Sequence, residues 1–526
     1  MPSVQRLATD ITCVERMGLE AWLAGPAWPV SEDEFHALSD FLIATWMEIC
    51  EAMDSEDRDV AYCEWPAGWL LRVAHAAVVA RLADRSDLEL LLGDLSRPMF
   101  APDWEALGQA HSRMLSQGRG RLAMRRLARN AAFNRHLSPW SRLACLVRPD
   151  ATALGSNDAL RESHVRSVGL GVDNTYVGLL AAGAERGAEP GPGLRRAAAS
   201  YVDAVGAELD ARFGADLDRR AVRGVLDRRL GTLLAVHRAV RRRAGSRPLL
   251  VTEAGKPLHM TAACGWRAGG GRTVGYHHGS FTGEFHHGAR AYRKFYAYDE
   301  YICPTEAASR ALEADYSALV TNRNGDSPSV RFSVCGAGIG VSSSQAGLRD
   351  DFPGRVRRVM IMGFPMNTMR YAGVRGQFWP VQFELEVRLV RLLMGAGFEV
   401  LYKVHPERAH PASELMAELG CRVVPERFEQ VVDQADAFVV KYINSSTFAT
   451  VVRSARPVFL IDLEREAWRP ERRDLLARRC VMLPGEIGPD GRVAFDEQAL
   501  LDGLSRDQEF PDYGYVTENY TPREAR

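Results

Sequence analysis

Three short stretches of the chain carry side chains suited to holding a phosphate as it departs. In LYKVHPERAHP, residues 401–411, an apolar run delivers Lys403, His405 and Pro406. Proline lacks an N–H and stops a strand ladder, so the chain must turn there, and open parallel sheets bind ligands at such strand ends. His405 can donate to a phosphate or a departing oxygen, and Lys403 adds a point charge. Lysine is scarce: Lys256, Lys294, Lys403 and Lys441 are the only four among 66 basic residues. Each marks a place where a compact ammonium stands instead of a guanidinium. Without a ligand, the same residues would be a loop histidine and a surface lysine.

The second stretch, DAFVVKYINSSTFATVV (436–452), reads as strand, polar turn and helix. Asn444, Ser445, Ser446 and Thr447 fall where a helix cap and first turn belong, with Lys441 just upstream. Unpaired N–H groups, hydroxyls beside them and a nearby ammonium make a phosphate cradle; one serine alone would be a cap and nothing more. The third, GYHHGSFTGEFHHG (275–288), holds four of the 13 histidines. His277/His278 and His286/His287 raise a zinc site, but HExxH spacing is missing and neighbouring residues on a strand face opposite sides. The expectation is a glycine-rich loop carrying His278 over a cleft, with no bound metal and no cofactor. In VTEAGKP (251–257), Glu253 follows a buried strand, placed either as a general base or as an ordinary loop glutamate.

These residues need elements to position them. At 526 residues the chain is long for one core and predicts several domains. Residues 1–150 read as helical, with apolar residues three and four apart in FHALSDFLIATWMEICEAM and GWLLRVAHAAVVARLAD. A Pro/Gly cluster at 186–199 predicts a linker followed by a long helical stretch to about residue 244. From 247 the period changes, and strands alternate with helices in two blocks, the second starting after 355. Such alternation implies right-handed crossovers and parallel sheets covered on both faces. The expected organisation is α/β: Rossmann-like domains at 160–345 and 346–500 facing a cleft, a helical addition at 1–150, and a tail at 501–526.

Composition narrows the function classes. The hydrophobic content of 46% and charged content of 25% are those of an ordinary globular protein. A net charge of −1 argues against a nucleic-acid partner. Nine scattered cysteines without CxxC spacing predict free thiols in a reducing compartment. The first twenty residues are too acidic and interrupted for a signal peptide, and no long uncharged apolar run predicts a membrane span. The expectation is a cytoplasmic protein. Residues 117–148 contain eight arginines and no acid. Two readings stay open: a solvated helix face, or a surface resting on anionic lipid or an anionic acceptor at the inner face of a membrane.

The order Glu-x-Gly, His-His-Gly, Lys-x-His-Pro, Ser-Ser-Thr resembles bacterial GT-B glycosyltransferases that build surface and capsular polysaccharides. It is similar to the sialyl- and polysialyltransferases, to capsule Kdo transferases and to CDP-glycerol glycerophosphotransferases, over roughly residues 247–465. The resemblance implies a metal-independent transfer from a nucleotide sugar, with a CMP-sugar favoured, to a glycan or lipid-linked acceptor, with the acceptor on the domain at 160–345 and the donor on that at 346–500. Residue by residue, Glu253 matches the base of the acidic motif, His405 the histidine that stabilises the nucleotide leaving group, and Ser445 and Ser446 the phosphate-binding serines. The acidic motif has Ala254 at its centre, which leaves His278 a second candidate base. KYIN before the serines departs from the Asp-Tyr pair of the glycerophosphotransferases and lowers that donor. Two rivals remain: a nucleotide-sugar 2-epimerase, and a non-catalytic scaffold of a polysaccharide-synthesis complex.

Overall fold

A computed structural model describes residues 5–113, 130, 133–155, 159–174, 189–252, 255–278, 283–286, 294–321, 329–335, 351–366, 378–406, 409–443, 445–463 and 468–520. Within them the chain is α/β, with parallel sheets. Near the N-terminus β1 (Gln5–Ala8) and β2 (Leu88–Leu91) form a parallel pair. One larger sheet contains β3 (Ala151–Leu154), β4 (Val172–Asn174), β5 (Leu249–Val251), β6 (Thr273–Tyr276), β7 (Glu300–Cys303) and β8 (Arg331–Val334). Its spatial order is β4-β3-β5-β6-β7-β8, with every pairing parallel.

The other contains β9 (Arg358–Met362), β10 (Glu399–Lys403), β11 (Arg422–Val424), β12 (Ala437–Val440), β13 (Val458–Asp462), β14 (Val481–Ile487) and β15 (Val493–Phe495). The order is β11-β10-β9-β12-β13-β14-β15, and only β15 runs antiparallel to its neighbour. The apolar runs at the middle of this sheet, AFVV in β12 and VFLID in β13, are buried at every position. Alternate residues face opposite cores: Val359, Ile361 and Val439 on one side, Met360, Met362, Phe438 and Val440 on the other.

Several boundaries differ from the sequence expectation. The first sheet begins at Ala151, before residue 160, because β3 lies between β4 and β5. The helical stretch after the Pro/Gly cluster is two helices, Pro192–Phe213 and Arg219–Arg241, separated where Gly214 adopts a left-handed φ of 62° that closes the first. Six strands carry too little pattern to read: β1, β2, β3, β8, β14 and β15, with Pro484 inside β14. All nine cysteines are free and buried. Among the described residues, no helix is long and apolar enough to cross a membrane.

The N-terminal region is not an appendage. Its helices Glu32–Glu51 and Pro66–Arg85 share a core with the pair 192–241 and with the first sheet. Ser31 and Glu34 start the former with a reciprocal capping box, and Glu64 accepts a buried 2.8 Å ion pair from Arg229. The segment Ile11–Leu19 packs instead into the core of the second sheet. Trp28 bridges the two: its indole N–H donates to His75 Nε2 (3.2 Å) and its ring meets Phe378 and Trp379 ahead of β10.

A further clasp joins the sheets at their carboxyl edges. Phe285, after β6, pairs with Trp468, after β13, through a backbone bridge and an edge-to-face contact at 4.6 Å. Beside it Arg469 pairs with buried Asp315, and Tyr515 donates to Glu284 at 2.8 Å. Loops from the carboxyl edges of both sheets thus meet at one junction.

Burial drops the pKa of His75 from 6.5 to about 3, so its imidazole is neutral and accepts from Trp28. Unfolding restores ordinary titration near 6.5, so between 6.5 and about 3 the unfolded chain binds a proton that the folded chain refuses. The contribution to stability is full above 6.5 and is lost as pH falls through that window, by about 1.4 kcal/mol per pH unit. His75→Gln keeps an acceptor for Trp28 but does not titrate. Urea-unfolding midpoints at pH 7 and pH 4 should therefore fall less for the variant than for the parent. Equal falls would show that His75 is not the neutral, buried group described.

Candidate functional site

Counted from β9, the second sheet is wound 3-2-1-4-5-6, the order of open sheets whose chain reverses direction between the first and fourth strands. The switch point lies between β9 and β12. Just beyond their carboxyl ends come Gly363 and Lys441, flanked by the ends of β10 and β13. The first sheet, counted from β3, is wound 2-1-3-4-5-6, with its switch point between β3 and β5. Thr252 and, on β6, His277 and His278 follow its strand ends.

At the second switch point the central group is one the sequence reading passed over. Glu386, fully buried on the helix Trp379–Gly395, accepts from the Phe364 N–H (2.6 Å), the Tyr402 hydroxyl (2.6 Å) and the Lys441 ammonium (2.8 Å). Lys441 also donates to the Met362 carbonyl at 2.5 Å. Burial raises the Glu386 pKa even though Lys441, Tyr402 and the Phe364 amide all favour the carboxylate. Gly363 is obligatory here: a Cβ would lie 2.7 Å from both the Tyr402 hydroxyl and the Lys403 carbonyl. The nitrogen expected to cradle phosphate is therefore inside the protein, spent on Glu386 and Met362. Lys441 is a structural residue, because a fully buried ammonium beside a fully buried carboxylate cannot turn outward without stranding its partner.

The other positions are arranged along the carboxyl edge. Lys403 is buried at the end of β10, donates to the Val404 carbonyl at 2.7 Å, and has its pKa lowered by desolvation against the pull of Glu426 and Glu429. His405 follows, half-buried, and Pro406 is exposed where the chain turns out of the sheet. Two strands away, Ser445 caps the helix Ser446–Val451, accepting from the Phe448 N–H at 3.0 Å. Thr447 is half-buried in the first turn. Ser446 opens that helix, but its side chain lies outside the described residues, as do Asn444, Glu253 and Ala254. The ends of β10 and β12, from which His405 and the Ser445 turn extend, stand two strand spacings apart, about 10 Å, with the end of β9 between them.

On the first sheet His277 is buried and its neighbour His278 exposed, the opposite orientations expected of adjacent residues. His286 is drawn away from any shared site, with its ring 3.3 Å from Asp315 in the clasp; His287 lies outside the described residues. Among the described residues, no three His, Cys, Asp or Glu side chains gather as a metal site.

Beside this edge, past β13 and β14, opens a cavity of about 890 Å³ that no sequence motif announced. Its walls come from residues 28–33, 378–381, 463, 473 and 485–491, which are far apart in the chain. Only the aromatic residues and acids of those segments could have hinted at it.

No protein-family model, curated protein or solved structure matches the chain.

Removing Lys441 tests its structural role. Lys441→Met leaves the Glu386 carboxylate buried without its counter-charge and should cost about 3–5 kcal/mol of unfolding free energy. Lys441→Met combined with Glu386→Leu should recover most of that loss. Denaturant titrations measure both. A single variant as stable as the parent would return Lys441 to the list of ligand-binding residues.

Proposed function

We propose that the chain is a metal-independent glycosyltransferase of GT-B type. It moves a sugar from a nucleotide-activated donor, with a CMP-sugar favoured, to a surface glycan or polysaccharide acceptor. The observation that carries this is the convergence, at the carboxyl edge of a sheet wound 3-2-1-4-5-6, of His405 after β10 and the Ser445–Thr447 turn after β12. The meeting of loops from the carboxyl edges of both sheets supports a shared cleft. In the reaction, an acceptor hydroxyl attacks the donor's anomeric carbon, the carbon–oxygen bond to phosphate breaks, and the electron pair leaves with the nucleotide. His405 and the Ser446 hydroxyl stabilise the developing charge, Lys403 adds a positive field, and Glu253 or His278 takes the acceptor's proton. Lys441 holds the strand ends and does not touch the phosphate.

Incubating the protein with labelled CMP-, UDP- and CDP-sugars separates the alternatives. Transfer to polymer supports the transferase, isomerised sugar a nucleotide-sugar 2-epimerase, and inert binding a scaffold. In the transferase, His405→Ala should lower turnover by roughly 10²–10³, the loss expected when one donor to a developing anion is removed. Of Glu253→Gln and His278→Ala, only the true base should change the pH profile of turnover. Near-normal transfer by His405→Ala would end the proposal.

The same proposal gives the basic stretch a partner. The helix Pro139–Val147 exposes Trp140 (81%), Leu143 (58%) and Val147 (80%) at one-face spacing, with exposed Arg135 and Arg148 at its flanks. A tryptophan-bearing apolar stripe among arginines suits the interface of an anionic membrane, where each arginine contributes about 1 kcal/mol. Liposome flotation should recover the protein with anionic vesicles and not with neutral ones, and Trp140→Ser with Val147→Ser should reduce recovery. Equal recovery on both vesicle types would leave a solvated helix face.

A further inference from the structure

The nine cysteines are scattered in sequence, but the fold brings two of them together. Cys63 is the last residue of the helix Ser55–Cys63, and Cys264 lies on the helix Pro257–Ala268 between β5 and β6. Both are fully buried, and the Cys63 thiol donates to the Cys264 sulfur at 3.7 Å. The helix Arg219–Arg241 braces the backbone on both sides of this contact. A Cβ at Gly265 would lie 2.5 Å from the His237 carbonyl oxygen, so the helix carrying Cys264 is pressed against it and has no room to roll. Next to Cys63, Glu64 accepts from Arg229 at 2.8 Å and from the Trp69 indole at 3.4 Å. One turn back, Asp59 accepts from the Tyr296 hydroxyl at 2.6 Å. The two sulfurs therefore face each other from fixed supports. A disulfide needs a separation of about 2.05 Å, which rotation of the side chains about their Cα–Cβ bonds supplies without moving either helix.

We propose that Cys63 and Cys264 are a redox-active pair that closes to a disulfide and locks the helix Ser55–Cys63 onto the helix Pro257–Ala268. The co-reactant is a small external disulfide. When the end of the first helix opens, one thiol loses its proton and its sulfur attacks the external S–S bond. That bond breaks, a mixed disulfide forms, and one small thiol leaves with the proton. The second protein sulfur, deprotonated in turn, attacks the mixed disulfide, forms the Cys63–Cys264 bond and releases the other small thiol. Two protein thiols are oxidised and one external disulfide is reduced to two thiols, so electrons and protons balance.

Burial sets the pace. Its hydrogen bond with Cys63 and its burial hold the Cys264 thiol well above the usual range, so it stays protonated and inert while the fold is closed. The same burial keeps a finished bridge away from reductants. The pair is thus a slow lock and not a fast sensor. Its effect is large because the cross-link spans 201 positions and removes that loop's freedom from the unfolded chain. It ties the N-terminal helical region to a helix that begins four residues after Glu253. The lock goes beyond the transferase reading and holds whether or not the chain moves a sugar.

The test equilibrates the full chain with glutathione from fully reduced to fully oxidised, both without urea and with urea below the unfolding transition, which populates the opening. Free thiols are then alkylated under denaturing conditions and the peptides mapped by mass spectrometry. Peptides joined through Cys63 and Cys264 should be the main disulfide product, with a yield that follows the glutathione ratio. The bridged chain should melt about 5 °C higher, and amide exchange across 257–268 should slow. Cys63→Ala and Cys264→Ala should each abolish both changes, while Cys303→Ala, at another buried thiol, keeps them. The bridge is read on the parent chain, so a variant that folds poorly leaves the test intact. Alkylation of both sulfurs at every glutathione ratio, a bridge formed only above the unfolding transition, or a different dominant pair overturns the inference. So does a bridge that raises neither the melting temperature nor the protection of 257–268.

Discussion

A single buried carboxylate, Glu386, holds the carboxyl edge of the second sheet together. It receives a backbone amide after β9, a hydroxyl from β10 and an ammonium after β12, so three segments that approach from different crossovers end at one point. Burying a carboxylate is expensive, and the pair offsets that cost because both its oxygens are met by donors, two on one and one on the other. The geometry also accounts for the choice of lysine in a chain whose cations are otherwise arginine. Lys441 must reach both Glu386 and the Met362 carbonyl from inside the sheet, and a compact ammonium fits where a planar guanidinium would not. Gly363 belongs to the same arrangement, since any side chain there would displace the Tyr402 hydroxyl.

The halves of the molecule are joined by features of the same kind. Glu284, Asp315, Arg469 and Tyr515 form buried polar contacts where the loops after β6 and β13 meet, beside the Phe285–Trp468 ring pair. The N-terminal residues add a second tie, with Ile11–Leu19 in one core and the helices that follow in the other. Trp28 belongs to this tie and to the cavity wall at once. The contacts that fix the N-terminal region to the second sheet therefore also shape the space beside its strand ends.

Side-chain chemistry divides that carboxyl edge into two environments. Around β10 and β12 the described groups are the half-buried imidazole of His405 and the hydroxyls of Ser445 and Thr447. Past β13 the described lining includes Glu32, Asp33, Glu486, Trp28 and Phe378, and Arg473 among it pairs with Asp462.

The sequence by itself determined most of the strands and helices between residues 247 and 462, though not β8. Buried apolar runs such as AFVV and VFLID, closed by glycine and proline, have few alternatives, and alternation with helices requires parallel pairing. It also placed His405 and Ser445 at strand ends, because a proline or a polar turn after an apolar run can only lie at an edge. It could not say what Lys441 does. That depends on a glutamate 55 residues earlier whose helical position looks like any solvated one until the sheet closes over it. β3 and β14 were hidden for a related reason: short strands draw their identity from neighbours that only the assembled sheet supplies. The cavity is the extreme case. Its walls come from distant parts of the chain, and no local pattern encodes a space; tertiary packing alone decided where the aromatic rings and the acids would meet.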